Sequence, residues 1–232
     1  MSCVAIIGDA CYRSVVDIRS IVLPNLFMDS SNMPDPIELA AFGWEREDWL
    51  AEYYPEDLPP DWRLGFYANE YRNVLVPMSF WSNDPDVDEW PDLAEKGLGF
   101  YFYIDGQLTI ESLQNMRAAA GELGAGLQGV VLDAEDSDCA ALQKQFDDLI
   151  REVDVAVVTP CADYIQCWQP GLVGGHYGAG IVRLGTEAEP RALRQVIEQY
   201  VQQTSSEHPI LFVDAPPEVL KMLRTLLDLM GL

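Results

Sequence analysis

An α/β fold built on a parallel sheet, open or closed as a barrel, is what this 232-residue chain predicts. Three observations support it. Short runs rich in branched and aromatic residues recur along the chain. None of them alternates cleanly between polar and apolar, as expected of strands covered on both faces. From Gly99 onward they also alternate with segments of helical periodicity, the pattern of successive strand–helix units. The runs are Cys3 to Ile7, Asn25 to Met28, Asn73 to Val76, Gly99 to Ile104, Gly129 to Leu132, Val155 to Thr159, Gly180 to Leu184 and Ile210 to Val213.

The helices are marked by their ends, because an oxygen side chain accepts the unpaired amides of a first turn. Thr109 predicts a helix that turns Ile110, Leu113, Met116 and Leu123 inward and stops at Gly124 or Gly126. Thr186-Glu187-Ala188-Glu189 reads as a capping box before a helix reaching Val201, with Leu193, Val196, Ile197 and Tyr200 on one face. Ser137 and Asp214 read as two further caps. The second precedes a helix from Pro217 to Met230, striped by Val219, Leu220, Leu223, Leu226 and Leu227 and ended by Gly231. The first hundred residues are less regular, and Asn83-Asp84-Pro85-Asp86 and Glu89-Trp90-Pro91-Asp92 read as loops.

Composition narrows the partners. The chain carries 38 acidic against 14 basic residues, a formal charge of -24, which repels phosphate backbones and anionic headgroups alike. Nucleic acid and membrane surfaces are therefore not expected partners. The acidity serves either solubility or a docking face for a basic partner or cations. Five cysteines without a C-x-x-C pair fit a reducing, cytoplasmic home. The opening Met-Ser-Cys-Val-Ala-Ile-Ile-Gly has no basic leader and its apolar run breaks at Gly8-Asp9, so neither a signal peptide nor a membrane span is expected. With no fixed-period repeat or low-complexity linker, residues 1–232 read as one domain, with 1–35 an N-terminal extension able to supply a strand.

Three motifs follow one another in the first third: Phe42-Gly43-Trp44-Glu45-Arg46-Glu47-Asp48-Trp49, Tyr53-Tyr54-Pro55-Glu56-Asp57-Leu58-Pro59, and Leu64-Gly65-Phe66-Tyr67-Ala68-Asn69-Glu70-Tyr71. Near the end, Gly180-Ile181-Val182-Arg183-Leu184-Gly185 and the segment from Ile210 to Pro217 complete the set. In order and spacing these resemble the YecE-like domain-of-unknown-function family, over about half the chain. The resemblance implies a TIM-like (β/α) barrel of about eight strands and no firmly assigned activity. It also makes Leu64 to Tyr71 a helix, in which Gly65 costs about 1 kcal/mol relative to alanine.

Several polar positions of the family differ here. Its second-strand glutamate is replaced by Val74-Leu75-Val76-Pro77, its lysine is missing near Ile104-Asp105, and its Arg-Leu-His-Gly has become Arg183-Leu184-Gly185. No counterpart of its Glu-x-Arg-His strand lies between Ser137 and Val155. The expectation is an incomplete or irregular barrel lacking one β/α unit, closed by an N-terminal strand at Cys3 to Ile7 or Asn25 to Met28, because an open barrel leaves two unpaired edges.

Residues that follow parallel strands converge at one end of a barrel. That rim would hold Asp105, Asp133, Glu135, Cys161, Arg183 and Asp214. Gathered carboxylates need a cation or a raised pKa, so Asp105, Asp133 and Glu135 are candidate ligands for Mg²⁺ or Mn²⁺, or a general acid and base. Arg183 would then hold an anionic substrate group in its fork. The other reading of the acids is as helix caps. His176, in the loop Gly174 to Gly178, is either a rim residue or a plain loop histidine, and His208 lies at the wrong end. Cys161 is a nucleophile with His176 as base, or an inert thiol. Trp44 and Trp49, with Tyr53, Tyr54 and Trp62, form either a sugar-stacking or peptide-binding surface or a packed cover. Two functions stay open. One is a non-catalytic acidic binding or regulatory protein, recognising a basic protein or a small anionic ligand. The other is a metal-assisted hydrolase or lyase.

Overall fold

The structure, a computed structural model, describes residues 36–82, 88–105, 108–133, 154–157, 165–172, 177–204 and 206–232. Its centre is a closed barrel of eight parallel strands in sequential order. They are β1 (Glu38–Phe42), β2 (Asn73–Val76), β3 (Gly99–Ile104), β4 (Leu127–Leu132), β5 (Asp154–Val157), β6 (Ile165–Trp168), β7 (Tyr177–Arg183) and β8 (Ile210–Asp214). The described helices are α1 (Glu47–Glu52), α2 (Arg63–Ala68), α3 (Met78–Trp81), α4 (Trp90–Glu95), α5 (Ile110–Leu123), α6 (Pro190–Gln203) and α7 (Pro217–Met230).

The barrel is not short of a strand. β1 pairs with β2 through Ala41↔Val74 and with β8 through Leu39↔Leu211, so both edges are closed by residues from 38 onward. The expected N-terminal strands, Cys3 to Ile7 and Asn25 to Met28, lie outside the described residues and are not needed for closure. The two strands absent from the sequence expectation are β1 and β6. Glu-Leu-Ala-Ala-Phe carries little β-propensity and Ile-Gln-Cys-Trp is short; both are strands because neighbours on each side complete their ladders.

Side chains alternate between two cores. Ala40, Leu75, Tyr103, Val131, Cys167, Ala179, Ile181 and Phe212 fill the barrel. Leu39, Ala41, Val74, Val76, Phe100, Phe102, Val182, Leu211 and Val213 face the helices. The outer layer is markedly aromatic. Trp81 stacks on Phe102 at 5.5 Å and Trp90 on Phe100 at 5.4 Å. The Tyr67 hydroxyl accepts the Ala41 N–H at 3.0 Å and donates to the Asn73 carbonyl at 2.6 Å, tying β1 to β2. Tyr200 donates to the Ile210 carbonyl at 2.7 Å, and a Cβ at Gly180 would meet its ring at 2.8 Å. Glycine is what lets that ring lie against the sheet.

The helix ends agree with expectation at Thr109, Gly124 and Gly231, and the helices depart from it in three places. Thr109 Oγ1 accepts the Ser112 N–H at 3.0 Å while Ser112 Oγ accepts the Thr109 N–H at 2.8 Å. Gly231 ends α7 with φ of 72°. Ile110 nevertheless points outward, 79% exposed, while Met116, Ala119 and Leu123 are buried. α6 starts after Glu189, whose side chain caps nothing, so Thr186 does not open a box; Pro190 at the first position has no N–H to satisfy. Pro216, not Asp214, precedes α7. Ser137 lies outside the described residues. No described helix is long and apolar enough to cross a membrane.

Candidate functional site at the barrel mouth

Strand parity aims the polar groups of the mouth. Tyr103, Asp133, Arg183 and Asp214 each stand two residues beyond an inward-facing side chain, namely Tyr101, Val131, Ile181 and Phe212. All four therefore project over the C-terminal end of the barrel interior. Arg183 Nη2 donates to Asp133 Oδ2 at 2.5 Å and to the Tyr103 hydroxyl oxygen at 2.7 Å, and that hydroxyl donates to the same Asp133 oxygen at 2.5 Å. Phe42 meets Tyr103 edge-on at 4.8 Å, and Tyr101 meets Phe212 at 4.9 Å, so the triad rests on an aromatic floor.

Burial pushes the Tyr103 hydroxyl above its ordinary value of 10.0, and the hydrogen bond and charge of Asp133 push it the same way. The phenol thus keeps its proton and acts as a donor. For Arg183, burial is the largest single influence and would lower the guanidinium, but the hydrogen bonds and charges of Asp133 and Tyr103 together outweigh it and the net direction is upward. Both groups are fixed in their donor forms.

A second cluster borders the first. Arg46, in the β1–α1 connection, donates from Nε and Nη2 to the two oxygens of Asp48 at 3.1 and 2.8 Å, and from Nη1 to Asp214. The expected cap Asp214 is therefore an ion-pair partner, linked to a residue 168 positions away. Just beyond it, Trp49 Nε1 donates to the Ala215 carbonyl at 3.1 Å.

Asp105 follows β3 and is exposed. Glu135, Cys161 and His176 lie outside the described residues. Among the described residues no group of three or more His, Cys, Asp or Glu could hold a metal ion. Asp133, the central member of the expected Mg²⁺ or Mn²⁺ set, already has its charge matched by Arg183. Trp44 and Trp49 are corrected from candidate binding residues to core. They are 5% and 1% exposed and pack against Phe80 at 4.7 Å and Tyr53 at 4.7 Å, leaving no open ring face. Cys167 sits inside the barrel, its thiol held protonated by burial.

Sequence reasoning missed Tyr103 and Arg46. The alternation Phe100-Tyr101-Phe102-Tyr103 could have marked Tyr103, since a tyrosine near a strand's end brings its hydroxyl to the rim. No local signal marks Arg46.

No family model matches the chain, and no curated protein matches it in sequence. What the mouth can do follows from its donors: a half-exposed guanidinium, oriented by Asp133 and by the Tyr103 hydroxyl whose own proton is spent on Asp133, forms a receptor for an oxyanion more readily than a proton-transfer pair.

Proposed function

We propose that the chain is a YecE-like barrel that works as a binding or regulatory protein, taking a small anionic ligand at its C-terminal mouth. One observation carries this reading. Arg183 directs both of its hydrogen bonds through Nη2, and among the described residues nothing engages its Nε or Nη1, while 46% of the side chain is exposed. With Nη2 committed, the Nε–H and Nη1 N–H groups stay open to donate singly to the oxygens of a carboxylate or phosphate at the mouth. Arg46, by contrast, has all three nitrogens in use. The metal-assisted alternative would require Asp133 to exchange the guanidinium for a cation, at a mouth where Tyr103 cannot serve as a base near neutral pH.

The test is isothermal titration of inorganic phosphate and of a short dicarboxylate into wild type, Arg183→Gln and Arg183→Lys at moderate salt. Saturable binding to wild type, weakened about tenfold or more by Arg183→Gln and only partly restored by Arg183→Lys, supports the proposal. Equal binding by wild type and Arg183→Gln rejects it.

A further inference from the structure

Of the six tryptophans, five are nearly or fully buried, and Trp62 alone is exposed, at 67%. An exposed indole gives up the burial that holds the other five. It ends a short turn, Pro60–Trp62, whose Trp62 N–H donates to the Pro59 carbonyl at 3.0 Å. Two consecutive prolines fix the backbone leading into it, so the ring is held outward by a stiff support. Beside it runs a groove of 390 Å³ between α2 and α4, with Leu58, Phe66 and Leu93 as its apolar surface.

Gly65 also lines that groove. It sits inside α2, where glycine is unfavourable relative to alanine, yet its φ is not positive and a Cβ there would meet nothing within 4 Å. Neither backbone conformation nor packing asks for glycine at this position. What a side chain would take up is the space of the groove itself. The polar border has a sign: Asp61, Glu89 and Asp92 against the single cation Lys96, on a chain of net charge -24.

We infer that this groove docks a basic segment of a partner protein, with a lysine or arginine side chain laid over the face of Trp62 and its charge met by Asp61 and Asp92. An aromatic face and flanking carboxylates both favour a cation, and the long apolar stem of lysine or arginine suits the Leu58 and Phe66 surface. The rigid turn lowers the ordering cost of the contact. The groove shares no residue with the mouth cluster around Arg183.

Oligoarginine and oligolysine peptides, with a glycine–serine peptide as neutral control, would be titrated calorimetrically into wild type, Trp62→Ala and Gly65→Leu at about 0.15 M salt, where diffuse attraction is screened beyond roughly 8 Å. Trp62 is exposed and Gly65 faces open space, so both variants keep the wild-type circular dichroism. Saturable binding of a basic peptide to wild type, weakened about tenfold by each variant and unaffected by Arg183→Gln, supports the inference. Absence of saturable binding, or equal binding by wild type and both variants, overturns it. Because Arg183→Gln is assayed alongside, failure here and failure of the mouth reading are separate results.

Discussion

The layer between barrel and helices and the interior of the barrel are built on different rules. The outer layer is aromatic, and four of its polar tips end on backbone carbonyls: Tyr54 on Trp44, Tyr67 on Asn73, Tyr200 on Ile210, Trp49 on Ala215. Large rings bury much area at small entropic cost, and these four tips fix the strands they touch, while the indole N–H groups of Trp81 and Trp168 are buried without a partner among the described residues. The interior has small residues at Ala40 and Ala179, and at its C-terminal end a buried Tyr103 meets Asp133 and Arg183, which remain partly open to solvent. Aromatic packing is concentrated outside the barrel, and the ligand site we propose lies at its mouth.

Alkali should act on this difference most strongly. Burial raises Tyr53, Tyr54, Tyr67, Tyr71 and Tyr200 above 10.0 in the outer layer, and only Tyr103 at the mouth. Each holds its proton more tightly folded than unfolded, so its contribution is complete below pH 10.0 and is lost as pH climbs toward the folded value. The urea midpoint should be flat approaching pH 10 and fall steeply above it, with tyrosinate absorbance appearing together with unfolding. Tyrosinate forming well before the far-ultraviolet signal collapses would mean that the outer tyrosines are open to solvent.

A smaller effect is expected from Trp49→Ala, which empties a fully buried indole site in the outer layer and releases the Ala215 carbonyl. It should cost about 3–5 kcal/mol in urea unfolding. A loss under about 1 kcal/mol would show that the layer collapses around the gap and is not the rigid support described.

The finest division falls between the two arginines. Arg46→Gln should cost about 1–2 kcal/mol, since it cuts the link from the β1–α1 connection to β8. Arg183→Gln should cost under about 1 kcal/mol, because its side chain is about half exposed and only one nitrogen is engaged. If equilibrium unfolding reverses that order, Arg183 is a structural staple and the anion site loses its basis.

Much of this was legible beforehand. The strands at β2, β3, β5, β7 and β8 and the apolar stripe of α7 all follow from runs of branched and aromatic residues or from period 3.6. β1 was invisible because Ala40 and Ala41 say little by themselves; their strand state comes from β2 and β8 on either side. Arg183 and Asp133 were placed at the rim by the rule that strand ends converge, but their pairing depends on barrel closure, which no local window contains. Asp214, a strand-end aspartate before a helix, has the residue type and position of a cap. Its tie to Arg46, far away in sequence, won instead. Trp44 and Trp49 had the composition of a stacking surface, and only the packing of α1 shows that their faces are covered.

Closure of the ring through β1 and β8 also sets a timetable for synthesis. β8 is the last strand to be translated, so the free edges of β1 and β7 wait for their partner until Ile210 to Asp214 have left the ribosome. Throughout that interval the nascent chain carries open parallel edges beside a layer of exposed aromatic rings, the combination that invites off-pathway association. Folding yield in the cell should therefore depend on how long the chain waits with β8 unpaired.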